Sequence, residues 1–279
     1  MLRLAATLLA LVLGSACSAT KATPASDCRE RVVSLHDVTT EAVLRFGAGH
    51  CLVGVAEPTD LAPELLGQLE HITRVQSAES VLAVSPSQVL ALAIVTEHEP
   101  ELFRELDRRK IGWTAPRVER VADVATLAND VARRLDRGRE SAAWTKPLAA
   151  LSLAPSSRSS GRRPKVFVFD CCAPPFTAGK RAVLTDLLAH AGADNVFADV
   201  DDDWFNASWE AVIARKPQLI VIDDYGAADN VPKKRAALAA ITPLAGLPVI
   251  VLPLRDSLGT IRSAEVIERL AQAIGRSLG

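Results

Sequence analysis

The pattern of apolar and polar positions predicts short buried strands that alternate with amphipathic helices. Apolar runs typical of strands are followed by segments whose apolar residues recur every three or four positions, the spacing of one helix face. Strands are predicted at 31–35, 52–55, 89–92, 166–170, 219–223 and 249–252, and another begins at Gly112. Helices are predicted at 39–46, 99–110, 121–137, 140–151, 179–191, 232–240 and 263–278. This alternation is typical of an α/β protein with parallel sheets covered by helices.

Individual residues predict two details of these helices. Thr39 or Thr40 is expected to cap the first helix, because a hydroxyl there can accept from a free backbone N–H. Pro147 lies inside the segment 140–151 and is expected to interrupt it, because proline has no backbone N–H to donate.

A short phrase occurs twice in the chain. Residues 77–86 read S-A-E-S-V-L-A-V-S-P and residues 208–217 read S-W-E-A-V-I-A-R-K-P, and each runs into an apolar stretch. The phrase predicts a short helix that ends at a proline and leads into a buried strand. The separation of the copies is too wide for a solenoid and indicates two similar lobes, with Glu79 and Glu210 at the same place in each. The alternative is a chance match among common residues.

The predicted elements divide the chain into two lobes and a connector. Residues 28–118 form an N-terminal α/β lobe, and residues 165–279 form a C-terminal α/β lobe. Residues 119–164 form a helical connector that ends in a flexible basic loop at 154–164, whose serine, arginine and proline content is typical of a boundary.

Composition excludes some classes of partner. The chain has 279 residues, a formal net charge of −1 and 49% hydrophobic residues. Because positive and negative residues are interspersed, nucleic acid is not expected as a partner. Aromatic residues make up only 4% of the chain, so any ligand cleft is expected to use a few identifiable rings.

The N-terminus is predicted to be an export signal. Residues 1–17 contain one basic residue, Arg3, then an apolar run and small residues, the pattern of a signal peptide. The segment L-G-S-A-C also resembles a bacterial lipobox, which would make Cys17 a lipidated N-terminus and the lipid the chain's only membrane attachment. Cleavage after Ala16 or Ala19 is the alternative.

Export permits disulfides among the remaining cysteines. Cys28 just precedes the first predicted strand and Cys51 opens the second, so neighbouring strands can bring them within bridging distance. A Cys28–Cys51 disulfide is therefore predicted, with two buried free thiols as the alternative. Cys171 and Cys172 are adjacent at a strand end, where they could form a vicinal disulfide or contact a soft metal, or simply place one thiol in the core and one in the cleft.

Candidate ligand-binding residues follow the predicted strands, because ligands of open α/β sheets bind at the carboxyl ends of the strands. The candidates are His36, Asp37, Glu57, Pro58, Cys171, Cys172, Phe176, Trp204, Phe205, Tyr225 and Arg255. His36 and Asp37, or His98 with its acidic neighbours, could hold a metal, but a solvated pair that caps the helix is favoured. Asp201–Asp203 lacks the glycine and distal glutamate of a calcium loop and is interpreted as solvated. Trp209 fits the core as well as the cleft.

Enzyme signatures are absent from the sequence. It contains no G-x-S-x-G, no G-x-G-x-x-G, no phosphate-binding loop and no metal-ligand spacing such as H-E-x-x-H. No enzymatic activity and no cofactor are therefore expected.

Three stretches resemble a known family. They are V-F-V-F-D-C-C-A-P-P-F-T-A-G-K, A-G-A-D-N-V-F-A-D and W-F-N-A-S-W-E-A-V-I-A-R-K-P-Q-L-I-V-I, with R-V-V-S-L and L-V-G-V near the start. From Arg31 onward the chain is similar to the periplasmic solute-binding proteins of ABC importers for cobalamin, ferric siderophores and haem, and most closely to the cobalamin-binding member. The resemblance implies two Rossmann-like lobes with central parallel sheets, joined by a long rigid helix, as in class III periplasmic binding proteins.

The resemblance also implies a function. A monomer would capture a metal chelate between its lobes and deliver it to a permease dimer in the inner membrane, with Glu79 and Glu210 docking on permease arginines. Without the resemblance, each glutamate would be interpreted as capping its own short helix. Of the aromatic residues expected in the pocket, only Trp204 and Phe176 are retained, and Cys171-Cys172 replaces a glycine-containing strand end. Two alternatives stay open: a metal- or thiol-dependent enzyme using His36, Asp37, Cys171 and Cys172, or a scaffold without a ligand.

Overall fold

The computed structural model describes residues 28–58, 60–153 and 163–279. The predicted signal peptide, the lipidation site Cys17 and most of the predicted basic loop lie outside these residues. Within the described ranges, no helix has the length and apolar character needed to cross a bilayer.

The N-terminal lobe is built on a five-stranded parallel sheet with the order β3-β2-β1-β4-β5. Its strands are β1 (Val32–Ser34), β2 (Leu52–Val55), β3 (Thr73–Arg74), β4 (Gln88–Leu90) and β5 (Gly112–Thr114). Their apolar side chains are buried on both faces of the sheet, as expected for parallel strands covered by helices.

The C-terminal lobe has a four-stranded parallel sheet with the order β11-β10-β6-β8, and a separate antiparallel pair of β7 and β9. The strands are β6 (Lys165–Phe169), β7 (Phe176–Ala178), β8 (Asp194–Asn195), β9 (Trp204–Asn206), β10 (Leu219–Asp224) and β11 (Val249–Pro253). The sequence pattern did not predict β3, β8 or the β7–β9 pair, each of which has strands of only two or three residues.

Twelve helices are present in the described residues, in addition to short 3₁₀ turns. They are α1 (Asp37–Arg45), α2 (Pro63–Leu66), α3 (Ala78–Ala83), α4 (Ala93–His98), α5 (Pro100–Arg108), α6 (Val121–Arg134), α7 (Gly138–Leu153), α8 (Val183–His190), α9 (Trp209–Ala214), α10 (Asn230–Ala239), α11 (Leu254–Ser257) and α12 (Ser263–Leu278).

The structure corrects both predicted helix details. The N-cap of α1 is His36, in agreement with the interpretation of His36 and Asp37 as a capping pair, whereas Thr39 lies inside the helix and its hydroxyl donates to the carbonyl oxygen of His36. Helix α7 continues through Pro147 to Leu153 instead of being interrupted.

The repeated phrase folds in the same way in both lobes. Ser77 caps α3 by accepting from the backbone N–H of Ser80, and Ser208 caps α9 by accepting from Ala211. After each helix, the residue directly before the proline has a positive φ, which is 49° for Ser85 and 53° for Lys216. The chain continues into β4 and β10, so the repeat is a structural unit.

The connector consists of two helices, whereas the resemblance implied one long helix. Helices α6 and α7 are joined by the short turn 135–137 and pack on each other, which makes them an antiparallel hairpin. Helix α6 also contacts α1 of the first lobe and α8 of the second, and α7 contacts α12. The hairpin therefore braces both lobes.

Three clusters of buried apolar side chains explain how the lobes are held together. One cluster is shared: it contains residues of α1, β1 and β2 in the first lobe, of α6, and of β6, α8 and α12 in the second. The other two each belong to one lobe, the N-terminal one including Val81 of α3 and the C-terminal one including Val212 of α9. The shared core lies on one side of both sheets, and the repeated helices lie on the other.

Two α/β lobes with parallel sheets are thus observed, as predicted from the sequence.

Candidate functional site

Contacts between the lobes join the carboxyl ends of strands from the two sheets. Beyond β2, the carboxylate of Asp60 accepts from the backbone N–H and the guanidinium of Arg255, which follows β11, both at 2.8 Å. Beyond β5, Glu119 lies 3.9 Å from Arg181 of the second lobe. The strand ends of the two lobes therefore face each other, and the two ion pairs flank the region between them.

His36 and Asp37 stand on the N-terminal side of this region, directly after β1. The Nδ1 atom of His36 accepts from the backbone N–H of Val38 at 3.2 Å, and burial lowers the pKa of the ring despite the neighbouring Asp37. The neutral ring therefore carries its proton on Nε2, where it is a donor and not a metal ligand. The Oδ2 atom of Asp37 accepts from the backbone N–H of Asp60 at 2.9 Å, which holds the loop after β2 against α1.

A short loop after β6 projects from the C-terminal side. Cys171 and Cys172 are joined in a vicinal disulfide, and the loop closes where the backbone N–H of Phe176 donates to the carbonyl of Cys171. The tip of this loop is exposed and carries no charged side chain. Next to it, the rings of Phe176 and Trp204 stack with centroids 6.0 Å apart across the β7–β9 pair. This arrangement offers sulfur and aromatic surface to a ligand.

An acidic cluster lies behind the loop, at the ends of β6 and β10. The hydroxyl of Tyr225 donates to Asp170, which is 5% exposed, and the Tyr225 ring remains 42% exposed. The ammonium of Lys234 donates to the carbonyl of Asp223 and lies 4.5 Å from the centre of the Tyr225 ring. The phenol of Tyr225 is thus held in place while one side of its ring stays open.

Two carboxyl groups of this region have raised pKa values. Burial, reinforced by the charge of Asp170, raises the pKa of Asp223 well above its usual value. Neither carboxyl oxygen of Asp223 has a hydrogen-bond partner among the described residues, since the nearby Ser257 hydroxyl donates to the carbonyl of Leu254. Burial and the charge of Glu119 likewise raise the pKa of Asp203. Burial is the largest cause of both shifts, and a neighbouring carboxylate adds to each.

Several predicted site residues have other contacts in the structure. Phe205 faces the core of the second lobe, where its ring meets that of Phe197 at 5.4 Å, and Trp209 packs against Phe169 in the same core. Arg255 is held by Asp60, as described above. Glu57 is exposed and lies 3.4 Å from Arg74, and Pro58 follows it in the same loop.

The structure does not gather His36, Asp37 and His98 into a metal site. In the described part of the chain, only Cys28, His50 and Cys51 place three ligating side chains close together, and both cysteines are joined in a disulfide with Cα atoms 5.4 Å apart. A thiolate is needed to bind a soft metal, so neither pair of cysteines offers one in this state.

The candidate residues predicted from the sequence did not include Asp60, Asp170 and Asp223. Asp170 and Asp223 were visible as the last residues of the predicted strands 166–170 and 219–223. The role of Asp60 had no sequence signal, because its partner Arg255 is 195 positions away.

Known proteins resemble this chain in sequence and in fold. No protein-family model matches the chain. The vitamin B12-binding protein of Salmonella choleraesuis is 29% identical to it over 196 residues, which are 69% of this chain and 71% of that protein. A periplasmic binding protein from Veillonella parvula superposes with a TM-score of 0.75 at 22% identity, covering 88% of this chain and 90% of that one. A periplasmic heme-binding protein from Roseiflexus superposes with a TM-score of 0.73 at 21% identity, covering 89% and 98%.

The chain therefore has the two-lobed fold of the class III periplasmic binding proteins, which confirms the predicted fold class. The resemblance to the periplasmic solute-binding proteins of the cobalamin and ferric-siderophore importers, predicted from its motifs, is also confirmed. The similar proteins are named as binding proteins, not as enzymes.

Proposed function

We propose that the protein is the solute-binding component of an ABC importer. It captures a metal chelate, namely cobalamin, a ferric siderophore or haem, between its lobes in the periplasm. It delivers that ligand as a monomer to a permease dimer in the inner membrane, and it is attached to the membrane only through a lipid on Cys17.

The observation that carries this proposal is the meeting of strand carboxyl ends from two lobes. Ligands of α/β proteins bind at these ends, and two facing sets of them make a two-sided site. Apolar surface is available on both sides: Ile94 after β4 is 47% exposed, and the open face of Tyr225 and the stacked ring of Trp204 lie on the other side. Such surface suits a large ligand with an apolar face.

The alternative of an enzyme has no observation in its favour. It required His36, Asp37, Cys171 and Cys172 as a metal or redox centre. His36 accepts a backbone hydrogen bond through Nδ1, and the two cysteines are bonded to each other.

Docking on the permease is assigned to Glu79 and Glu210. Both stand in the first turn of a short helix, and both helices lie on the side of the sheets opposite the shared core. Hydrogen bonding to Ser77 lowers the pKa of Glu79, and hydrogen bonding to its own backbone and to Ser208 lowers that of Glu210. Two exposed charges of one sign, one on each lobe, would match two positive sites on a partner.

Ligand capture is tested by titrating the protein with cobalamin, haemin and ferric siderophores while following tryptophan fluorescence. We expect sub-micromolar binding of one chelate and loss of most of the quenching in Trp204→Phe. The matched control is Trp113→Phe, because the Trp113 ring packs on Phe103 and donates to Asp107, both on α5. If the protein binds none of these chelates, the proposed function is contradicted.

Docking is tested in cells that depend on the importer. The double variant Glu79→Gln with Glu210→Gln keeps the shape of both side chains and removes their charge, so we expect loss of transport with unchanged affinity for the ligand. Glu101→Gln, an equally exposed helical glutamate on α5, is the control and should transport normally. Normal transport by the double variant would contradict the docking assignment.

A further inference from the structure

The basic side chains around the strand ends are already neutralised. In the first lobe, Arg74 pairs with Glu57 at 3.4 Å and Arg117 donates to Glu97. Between the lobes, Arg255 pairs with Asp60. An arriving anion would have to separate one of these pairs and would still lie beside the displaced carboxylate.

The same holds on the C-terminal side. Arg181 lies 3.6 Å from Asp202 and 3.9 Å from Glu119, and Lys180 lies 4.0 Å from Asp201. Lys234 is 6% exposed and points into the second lobe, where it donates to the Asp223 carbonyl. The six arginines and lysines named here and in the paragraph above, which follow the strands, therefore each have an acidic partner or a buried contact.

Acidic side chains are in excess in these segments. They include Asp37, Glu57, Asp60, Glu97, Glu119, Asp170, Asp201, Asp202, Asp203 and Asp224. A charge entering this region therefore meets a net negative field.

Metal chelates differ in net charge, and therefore in the charged side chains that their binding requires. Haemin carries two propionates, and ferric tricatecholates carry several negative charges, so each needs arginine or lysine for its acidic groups. Cyanocobalamin is uncharged overall, and the trihydroxamate ferrioxamine B is cationic, so neither needs an unpaired cation. Burying an anion among carboxylates without a partner is costly.

We propose that the site between the lobes selects uncharged or cationic metal chelates and discriminates against anionic ones. The selection is made by the pairing of these six cations and by the excess of carboxylates near the strand ends. The inference rests on the proposed function, since it specifies the ligand class of the same site.

The test is a titration of the purified protein with four chelates: cyanocobalamin, ferrioxamine B, haemin and ferric enterobactin. We expect cyanocobalamin or ferrioxamine B to bind at least about 100-fold more tightly than haemin or ferric enterobactin, which corresponds to about 2.7 kcal/mol. Binding of ferrioxamine B should weaken as salt is added. Equal or tighter binding of haemin or ferric enterobactin would overturn the inference and leave the proposed function standing. Binding of none of the four would overturn both.

A charge-neutralising variant tests the cause. Glu57→Gln releases Arg74 from its pair and removes one carboxylate, so haemin affinity should rise by about threefold to tenfold while cyanocobalamin affinity stays within twofold. The matched control is Glu101→Gln, which removes a similarly exposed carboxylate paired with Arg104 on α5, far from the strand ends. An equal gain of haemin affinity in both variants would assign the effect to overall charge and contradict selection by the site.

Discussion

His36 illustrates how one side chain sets both local structure and chemistry. Its ring caps α1 through Nδ1, and burial keeps it neutral. Sequence reasoning offered Thr39 or Thr40 as the cap, because hydroxyls are common caps, and also favoured His36 and Asp37 as a solvated pair that caps the helix. The position at which β1 ends decides which residue becomes the cap. It leaves Thr39 inside the helix, where its hydroxyl donates to the His36 carbonyl.

Substitution of His36 separates the two roles. His36→Ala removes the cap and should lower the free energy of unfolding by about 1 kcal/mol, whereas His36→Asn keeps an acceptor for the Val38 N–H and should cost little. Urea unfolding of the two variants measures the difference. Equal losses in both would contradict a capping role.

The same variants test the pH dependence. The pKa of His36 is lowered in the folded protein, so below the ordinary value of 6.5 the unfolded chain binds the extra proton. Stability from this residue is therefore complete above pH 6.5 and is lost as the pH falls toward the lowered pKa. His36→Asn should unfold with a shallower loss of stability over this interval than the native protein. A parallel pH profile would show that His36 is not the responsible group.

At the scale of elements, periodicity predicted the long helices and the central strands, because their apolar residues are many and regularly spaced. It did not predict the β7–β9 pair, since these strands have three residues each and are far apart in the chain. Their pairing depends on Gly179, where a Cβ would come within 2.5 Å of the Asp202 carbonyl oxygen. The stacking of Phe176 on Trp204 therefore depends on a contact between distant parts of the chain, which the local sequence pattern does not predict.

The two disulfides should differ in their effect on stability. Cys28 and Cys51 enclose a loop with a sequence separation of 23, and removing such a link costs about 3 kcal/mol in chain entropy. Cys28→Ala with Cys51→Ala should therefore lower the unfolding midpoint markedly. The control is Cys171→Ala with Cys172→Ala, because adjacent residues close almost no loop. Thermal unfolding compares the pairs, and equal midpoints would contradict this account.

At the scale of the whole molecule, the sequence predicted two lobes because the repeated phrase marks equivalent places in each. It did not predict that the connector is a hairpin braced against both lobes, since the turn at 135–137 contains no glycine or proline. Here Asp136 supplies the positive φ of 53°. Together with the shared core, this bracing implies that the lobes move little relative to each other.

The pair of Asp60 and Arg255 is expected to add to this rigidity. Both side chains are mostly buried, and the Asp60 carboxylate accepts from the backbone N–H and the guanidinium of Arg255, each at 2.8 Å. Asp60→Ala should therefore lower the free energy of unfolding by about 1–3 kcal/mol. Hydrogen exchange should also quicken in the segments after β2 and β11. The control is Asp130→Ala, which breaks ion pairs with exposed arginines on α6 and should cost less than about 1 kcal/mol. A similar cost for both would contradict a special role for the inter-lobe pair.

The cross-link at Cys28 has a mechanical consequence. The described chain enters the fold at this residue, and β1 lies in the middle of its sheet between β2 and β4. Without the cross-link, a pull on the preceding segment would load β1 alone. Because Cys28 is bonded to Cys51 at the start of β2, tension is divided between two neighbouring strands before any backbone hydrogen bond is strained. The fold is thus reinforced at the point where any tether would transmit force to it.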